Sequence, residues 1–167
     1  MEDNLQLDKK YKYLTFYLDN KTFALPLHLI ERIILVIEMT PLPNAPDIIM
    51  GVINLYGRII PVADLRKRFH FDDKALHIED YIIVGRTTQR SLGIRVDNVG
   101  EIITGSKDDV IEQKDILPDI AYVKGVVKLN GNIILIHDLE QCLSLDEHKE
   151  VSEAVEKLGK SKNKKRK

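Results

Sequence analysis

Part of this chain is written twice. Gly51-Val52-Ile53-Asn54-Leu55-Tyr56-Gly57-Arg58-Ile59-Ile60-Pro61-Val62-Ala63-Asp64-Leu65 recurs 74 positions later as Gly125-Val126-Val127-Lys128-Leu129-Asn130-Gly131-Asn132-Ile133-Ile134-Leu135-Ile136-His137-Asp138-Leu139. The copies agree at both glycines, at the aspartate and at the apolar positions between them. What is duplicated is therefore a backbone path and a core pattern, and no catalytic set is duplicated with it. Upstream, Phe23-Ala24-Leu25-Pro26-Leu27 leading to Ile30 and Ile33-Ile34 parallels Leu92-Gly93-Ile94-Arg95-Val96 leading to Val99 and Ile102-Ile103, at an offset of 69. The extra length of the second copy falls in the polar stretch Thr104 to Ala121. A unit of about seventy residues is too long for a solenoid repeat and short for a self-sufficient domain. The expectation is two small halves, approximately residues 11–70 and 80–145, packed on each other with elements open to exchange between them.

Each copy is read as a series of short strands. Tyr11 to Leu18 and Thr22 to Leu27 flank the turn signal Asp19-Asn20-Lys21, and Ile33 to Ile37 is an apolar run closed by the proline-bearing segment Thr40 to Pro46. Tyr81 to Gly85 and Ser91 to Val96 form a further hairpin. Asn130-Gly131 between apolar arms is a strong type I′ hairpin signal, since that turn needs positive φ at both central residues. At the equivalent tip, Tyr56-Gly57, a bulky tyrosine is strained at positive φ, which favours a type II turn with Gly57 alone in that region. Gly51, Gly57, Gly125 and Gly131 are read as structural turn positions. Asp64 and Asp138 are read as caps on the stretches that follow them, with Gln141 placed to complete a capping box. Val151, Ala154, Val155 and Leu158 share one stripe of a C-terminal helix over 147–159, ended by Gly159 and followed by a disordered basic tail over 160–167.

Many short strands with little helix indicate a mainly β fold built as a pair of small barrels. Of the 25 basic residues six stand in the last eight positions, leaving 19 against 26 acidic residues before them. The body is thus mildly acidic and carries no bias toward polyanions. Cys142 is the single cysteine, which excludes an internal disulfide and fits a reducing compartment. No apolar run reaches the ~20 residues of a membrane span and Met1-Glu2-Asp3-Asn4 does not open a signal peptide. These features suggest a cytoplasmic protein without membrane insertion. The five histidines, His28, His70, His77, His137 and His148, lack metal-type spacing, and His137-Asp138 would point to opposite faces of a strand. No cofactor, metal or small-molecule substrate is expected, and no enzymatic activity.

The phrase from Gly51 to Arg66 closely resembles the central motif of the CheW family of chemotaxis coupling proteins. The resemblance extends to the opening hairpin, the Leu27 to Ile34 segment, Pro41-Leu42-Pro43 and the second half, about residues 12 to 145. It implies two packed five-stranded SH3-like barrels around a shared core, forming one domain over 11–145. It also implies a non-enzymatic adaptor linking the cytoplasmic tip of methyl-accepting chemoreceptors to the regulatory domain of a chemotaxis histidine kinase, and recruitment to receptor arrays at the inner membrane.

The protein-binding residues the resemblance suggests are Ile30, Arg32, Ile33, Val52, Asn54, Leu55, Tyr56, Gly57, Arg58, Val96 and Val99. Core burial is the simpler reading for at least half of Ile30, Ile33, Val52 and Leu55, while an aromatic at a hairpin tip suits a contact surface. Two positions depart from the family pattern, where a hairpin-tip arginine and a glutamate can form an ion pair. Here they are Tyr56 and Arg32, and Arg32 can lie on the Tyr56 ring instead. The alternative reading is a double barrel binding nucleic acid through the tail Lys160 to Lys167, disfavoured by the acidic body.

Overall fold

The computed structural model of the chain describes residues 11–105, 109–112 and 122–165. The opening hairpin pairs β1 (Lys12–Leu18) with β2 (Lys21–Pro26). A 3-10 turn over Leu27–Leu29 leads directly into β3 (Ile30–Leu35). The first glycine hairpin follows as β4 (Ile49–Leu55) and β5 (Arg58–Asp64), closed by the one-turn helix α1 (Leu65–Arg68). The second copy repeats the series as β6 (Tyr81–Arg86), β7 (Ser91–Val96) and β8 (Asn98–Thr104), then the short β9 (Val110–Glu112), β10 (Val123–Leu129) and β11 (Asn132–His137). A long helix, α2 (Leu145–Lys165), ends the described chain.

The strands form two sheets in the orders β8-β1-β2-β11-β10-β9 and β3-β6-β7-β5-β4. Each sheet takes its opening hairpin from one copy and its glycine hairpin from the other. The two joins are the only parallel pairings among the described strands: β11 on β2, with Leu135 opposite Phe23, and β5 on β7, with Ala63 opposite Ile94. Neither sequence half therefore forms a sheet alone, and the strands are fully exchanged. One sheet has six strands where five were expected, because β9 adds an outer strand to β10. In the other sheet only the isolated bridge from Thr40 to Val52 stands at that place.

The apolar residues divide according to this exchange. Ile53, Ile60, Val62, Ile82 and Val84 fill the five-stranded sheet, and Tyr13, Ala24, Val127, Ile134 and Ile136 fill the six-stranded one. A larger cluster, including Phe16, Phe23, Leu25, Ile83, Leu92, Ile94 and Val96, lies between the two and is built mainly from the opening hairpins. Gly51 and Gly125 occupy equivalent crowded points in the two sheets. A Cβ on Gly51 would meet the Thr40 carbonyl oxygen at 2.7 Å, and one on Gly125 the Ile111 carbonyl oxygen at 2.5 Å.

Four sequence expectations need correction. Tyr56 has φ 52° and Gly57 φ 83°, matching Asn130 at 51° and Gly131 at 77°, so both hairpin tips carry positive φ at both central residues as a type I′ turn requires. The twist of the flanking strands outweighs the local preference of tyrosine. The C-terminal helix begins at Leu145, not Glu147, and continues past Gly159 to Lys165. Gly159 is not among the residues with positive φ, and the lysines after it are good helix formers, so no stop is imposed and the tail is not disordered from 160. Its last two residues lie outside the described chain. Finally, Asp64 caps α1 by accepting from Arg66 N at 3.0 Å, but Asp138 opens only turns, where Gln141 N approaches its Oδ1 at 3.4 Å. The reciprocal capping-box bond is not made, since the Asp138 N–H donates to Tyr122 O at 2.8 Å.

Candidate partner-binding surface

At one end of the five-stranded sheet the β4–β5 tip, the end of β6, the start of β7 and the start of β3 come together. Glu31 of β3 is the centre of this cluster. Its carboxylate accepts from Arg58 at 3.2 Å, from Arg86 Nε at 3.1 Å and from Ser91 Oγ at 2.7 Å. Burial works to raise the Glu31 carboxyl, but the bonds from Ser91, Arg86 and Arg58 outweigh it and hold the group below the usual carboxylate range. Arg58 also donates to Ser91 Oγ at 2.5 Å. One buried-side acid thus fixes two exposed arginines in a solvent-facing patch.

Tyr56 stands beside that patch, 83% exposed. Its turn is held by Asn54 Oδ1, which accepts from Gly57 N at 2.9 Å. The Arg32 guanidinium lies 4.8 Å from the Tyr56 ring centroid, a cation–π contact worth about 0.5–1 kcal/mol when exposed. Left-handed φ costs a residue like tyrosine about 1–2 kcal/mol, so the contact offsets roughly half of the strain.

Along β3 the side chains alternate. Ile34 points into the five-stranded barrel, whereas Ile33 and Leu35, at 39% and 55% exposure, lie on the face that Ile83 and Tyr81 share with the inter-sheet core. As an outermost strand, β3 pairs only with β6, so this apolar face is open at its rim. Ile30 and Val99 are partly buried against the same inter-sheet core.

The structure thus brings together Ile30, Arg32, Ile33, Asn54, Tyr56, Gly57 and Arg58 on or next to one end of the molecule. Leu55 packs from the barrel side, partly buried. Val52 and Val96 do not belong to the surface. Val52 is 3% exposed and packs with Leu42 and Ala154, while Val96 lies wholly within the inter-sheet core. Their apolar character serves helix docking and sheet packing. Glu31, Arg86 and Ser91 were missed from sequence. Glu31 and Arg32 adjoin in an edge-strand segment, and Arg86 and Ser91 bracket a hairpin, but only the long-range pairing of β3 with β6 joins them.

Elsewhere, polar groups serve cohesion. Arg66, almost fully buried, pairs with Asp19 at 2.7 Å and Asp97 at 2.5 Å, and Arg95 pairs with Asp80 at 2.9 Å. Among the described residues no group of three or more His, Cys, Asp or Glu side chains is arranged to hold a metal ion. No helix of the described residues is long and apolar enough to cross a membrane.

Comparison with known proteins joins these features to a family. The model of the CheW-like domain matches residues 12–147. The chain belongs to the CheW-like domain family. The chain is 33% identical over 139 residues to the chemotaxis protein CheW of Thermotoga maritima, covering 81% of this chain and 89% of that protein. It is 27% identical over 146 residues to the chemotaxis protein CheW of Treponema pallidum, covering 84% and 86%. Among solved structures, the scaffolding protein TtCheW from Thermoanaerobacter tengcongensis superposes with a TM-score of 0.76 at 27% identity, covering 83% of this chain and 95% of that one. The double-barrel architecture expected from the motif is the architecture of this CheW-like domain, with the additional strand β9 and the long helix α2.

Proposed function

We propose that this protein is a non-enzymatic chemotaxis adaptor that holds a receptor tip and the regulatory domain of a histidine kinase against one another in the cytoplasm. The observation that carries the reading is the open end of the five-stranded sheet in a CheW-like domain. There the exposed apolar edge of β3 adjoins a fixed cationic patch and a strained aromatic tip. An apolar edge with several anchors suits a helix laid in a groove, and an aromatic beside arginines suits a contact hot spot. Strain held at an exposed Tyr56, of which the Arg32 contact offsets only a part, supports selection for a partner.

The mechanism is positional. Attachment to two partners at once raises the effective concentration of one near the other by orders of magnitude without new chemistry. Arg32 and Tyr56, in place of the family's usual acid and arginine, set which kinase is accepted, because matched changes add a mismatch against the former partner. Nothing in the fold supports the nucleic-acid alternative raised by the basic tail.

Reconstitution tests this reading. Receptor tip fragments and a kinase regulatory domain from the same cells are sedimented together with and without the protein. Recovery of both that depends on the protein, and that Ile33→Asp reduces at least tenfold, is expected. Recovery unaffected by the protein would reject the adaptor reading.

A further inference from the structure

The duplication makes each surface of one barrel comparable with its counterpart on the other, and among the described residues one pair differs in occupancy. On the five-stranded sheet, Ile59 lies beneath α2, packed in the cluster that Val155 and Leu158 of the helix also join. Arg90, just before β7, donates to the His148 carbonyl oxygen of α2 at 3.2 Å and to Ser152 Oγ. Leu143, which leads into α2, is buried. The helix is further fixed by Arg68, whose guanidinium meets both oxygens of Glu147 at 2.7 and 2.8 Å.

By the repeat offsets, the counterparts of Arg90, Ile59 and Leu143 are Lys21, Ile133 and Phe69. These three, with Phe71 and Leu135, line a groove of about 460 Å³ on the six-stranded sheet. Among the described residues no helix lies there, since after Phe71 the chain runs through 72–80 straight into β6. Ile133 is left 66% exposed, and Lys21 lies over the Phe71 ring at 5.0 Å.

We infer that this groove is a second docking face, and that its occupant is an amphipathic helix of a partner protein, seated as α2 is seated on the equivalent face. The internal copy specifies the occupant's chemistry. It carries an apolar stripe at i, i+3, i+4 and i+7, the spacing of Val151, Ala154, Val155 and Leu158. It also carries an oxygen acceptor facing Lys21, as the His148 carbonyl and Ser152 hydroxyl face Arg90. An acidic flank suits that lysine, and α2 itself has one, with Asp146, Glu147, Glu150, Glu153 and Glu156 against Lys149 and Lys157 over 145–158. The α2 of a second copy is not the occupant, since each copy's helix is held on its own barrel by Arg68 and Arg90. The site is separate from the Arg32–Tyr56 end and does not depend on the adaptor reading.

The probe is a synthetic peptide with the sequence of residues 145–158, titrated into the full-length isotope-labelled protein and followed by amide chemical shifts. Saturable shifts at Lys21, Phe71 and Ile133 with a dissociation constant below about 1 mM are expected. Ile133→Asp and, separately, Lys21→Glu should each weaken binding about tenfold. Both positions are exposed, so the variants retain the fold, which their unchanged shifts elsewhere verify. Shifts confined to residues around Ile59 and Arg90, showing displacement of the resident helix, or no shifts at all, overturn the inference.

Discussion

The Arg32 guanidinium lies 4.8 Å from the centroid of the Tyr56 ring, so the two side chains touch each other. The contact joins an edge strand to a hairpin tip whose tyrosine carries φ 52°. Asparagine, present at the equivalent tip as Asn130, tolerates that conformation far better. Tyr56→Asn should therefore raise stability by about 1 kcal/mol in denaturant titration while weakening kinase-domain binding by tenfold or more. A tyrosine kept only for folding would show no such opposition.

The identity of the partner can be tested at the same pair. Combining Tyr56→Arg with Arg32→Glu places opposite charges at the pair, and should increase capture of a regulatory domain whose own coupling protein carries arginine and glutamate there. Capture unchanged by the double substitution would remove this end from partner choice.

Gly51→Ala and Gly125→Ala place a methyl group 2.7 and 2.5 Å from the Thr40 and Ile111 carbonyl oxygens. Both oxygens belong to backbone and cannot rotate aside. Each substitution should cost about 1–3 kcal/mol, read from the denaturation midpoint at constant slope. The two losses should be similar if the crowding is equivalent in both sheets.

His137 is fully buried, with its ring centroid 5.8 Å from that of Phe69, and burial lowers its imidazole from 6.5 to about 4. Above pH 6.5 the group is neutral in both folded and unfolded chains and carries no penalty. Between pH 6.5 and about 4 the unfolded chain takes up a proton that the folded chain refuses, so stability falls as pH falls through this window. The full loss is about 3 kcal/mol at ~1.4 kcal/mol per unit. Burial lowers His148 in the same direction, so His137→Leu should flatten the slope in part, and not wholly, in unfolding curves taken from pH 7.5 to 4.5.

Separate fragments covering 11–72 and 73–165 should each remain unfolded, because neither holds all the strands of a sheet. Mixed, they should regain the β circular-dichroism signal of the intact chain. Independent folding of either fragment would contradict the exchanged pairing.

The duplication, both glycine hairpins and the apolar stripe of α2 were legible in the sequence, since each depends on local spacing. Exchange of elements was open in the sequence, but which hairpins exchange was not legible, because the two copies share their pattern and either pairing would bury the same residues. Tyr56 was misjudged for a related reason: residue preference argued against positive φ, and the twist of β4 and β5 prevailed. Core burial was the simpler reading for at least half of a set that included Val52, and Val96 stood among the binding residues, until the packing of α2 and of the opening hairpins placed both inside. Glu31 carries the exposed patch through contacts 27 to 60 residues away, a distance no local signal spans.

The chain crosses from one sheet to the other through Leu27–Leu29, between β2 and β3, and again through Asp97 alone, between β7 and β8. Both crossings are short, and the buried cluster that the two sheets share would have to open for the halves to bend apart. Tension or torque applied at β3 passes through three residues into β2 and the opposite barrel, leaving the molecule little freedom to bend between its halves. A partner gripping one end moves the far end with it, so that what travels across this molecule is a change of orientation rather than a change of shape.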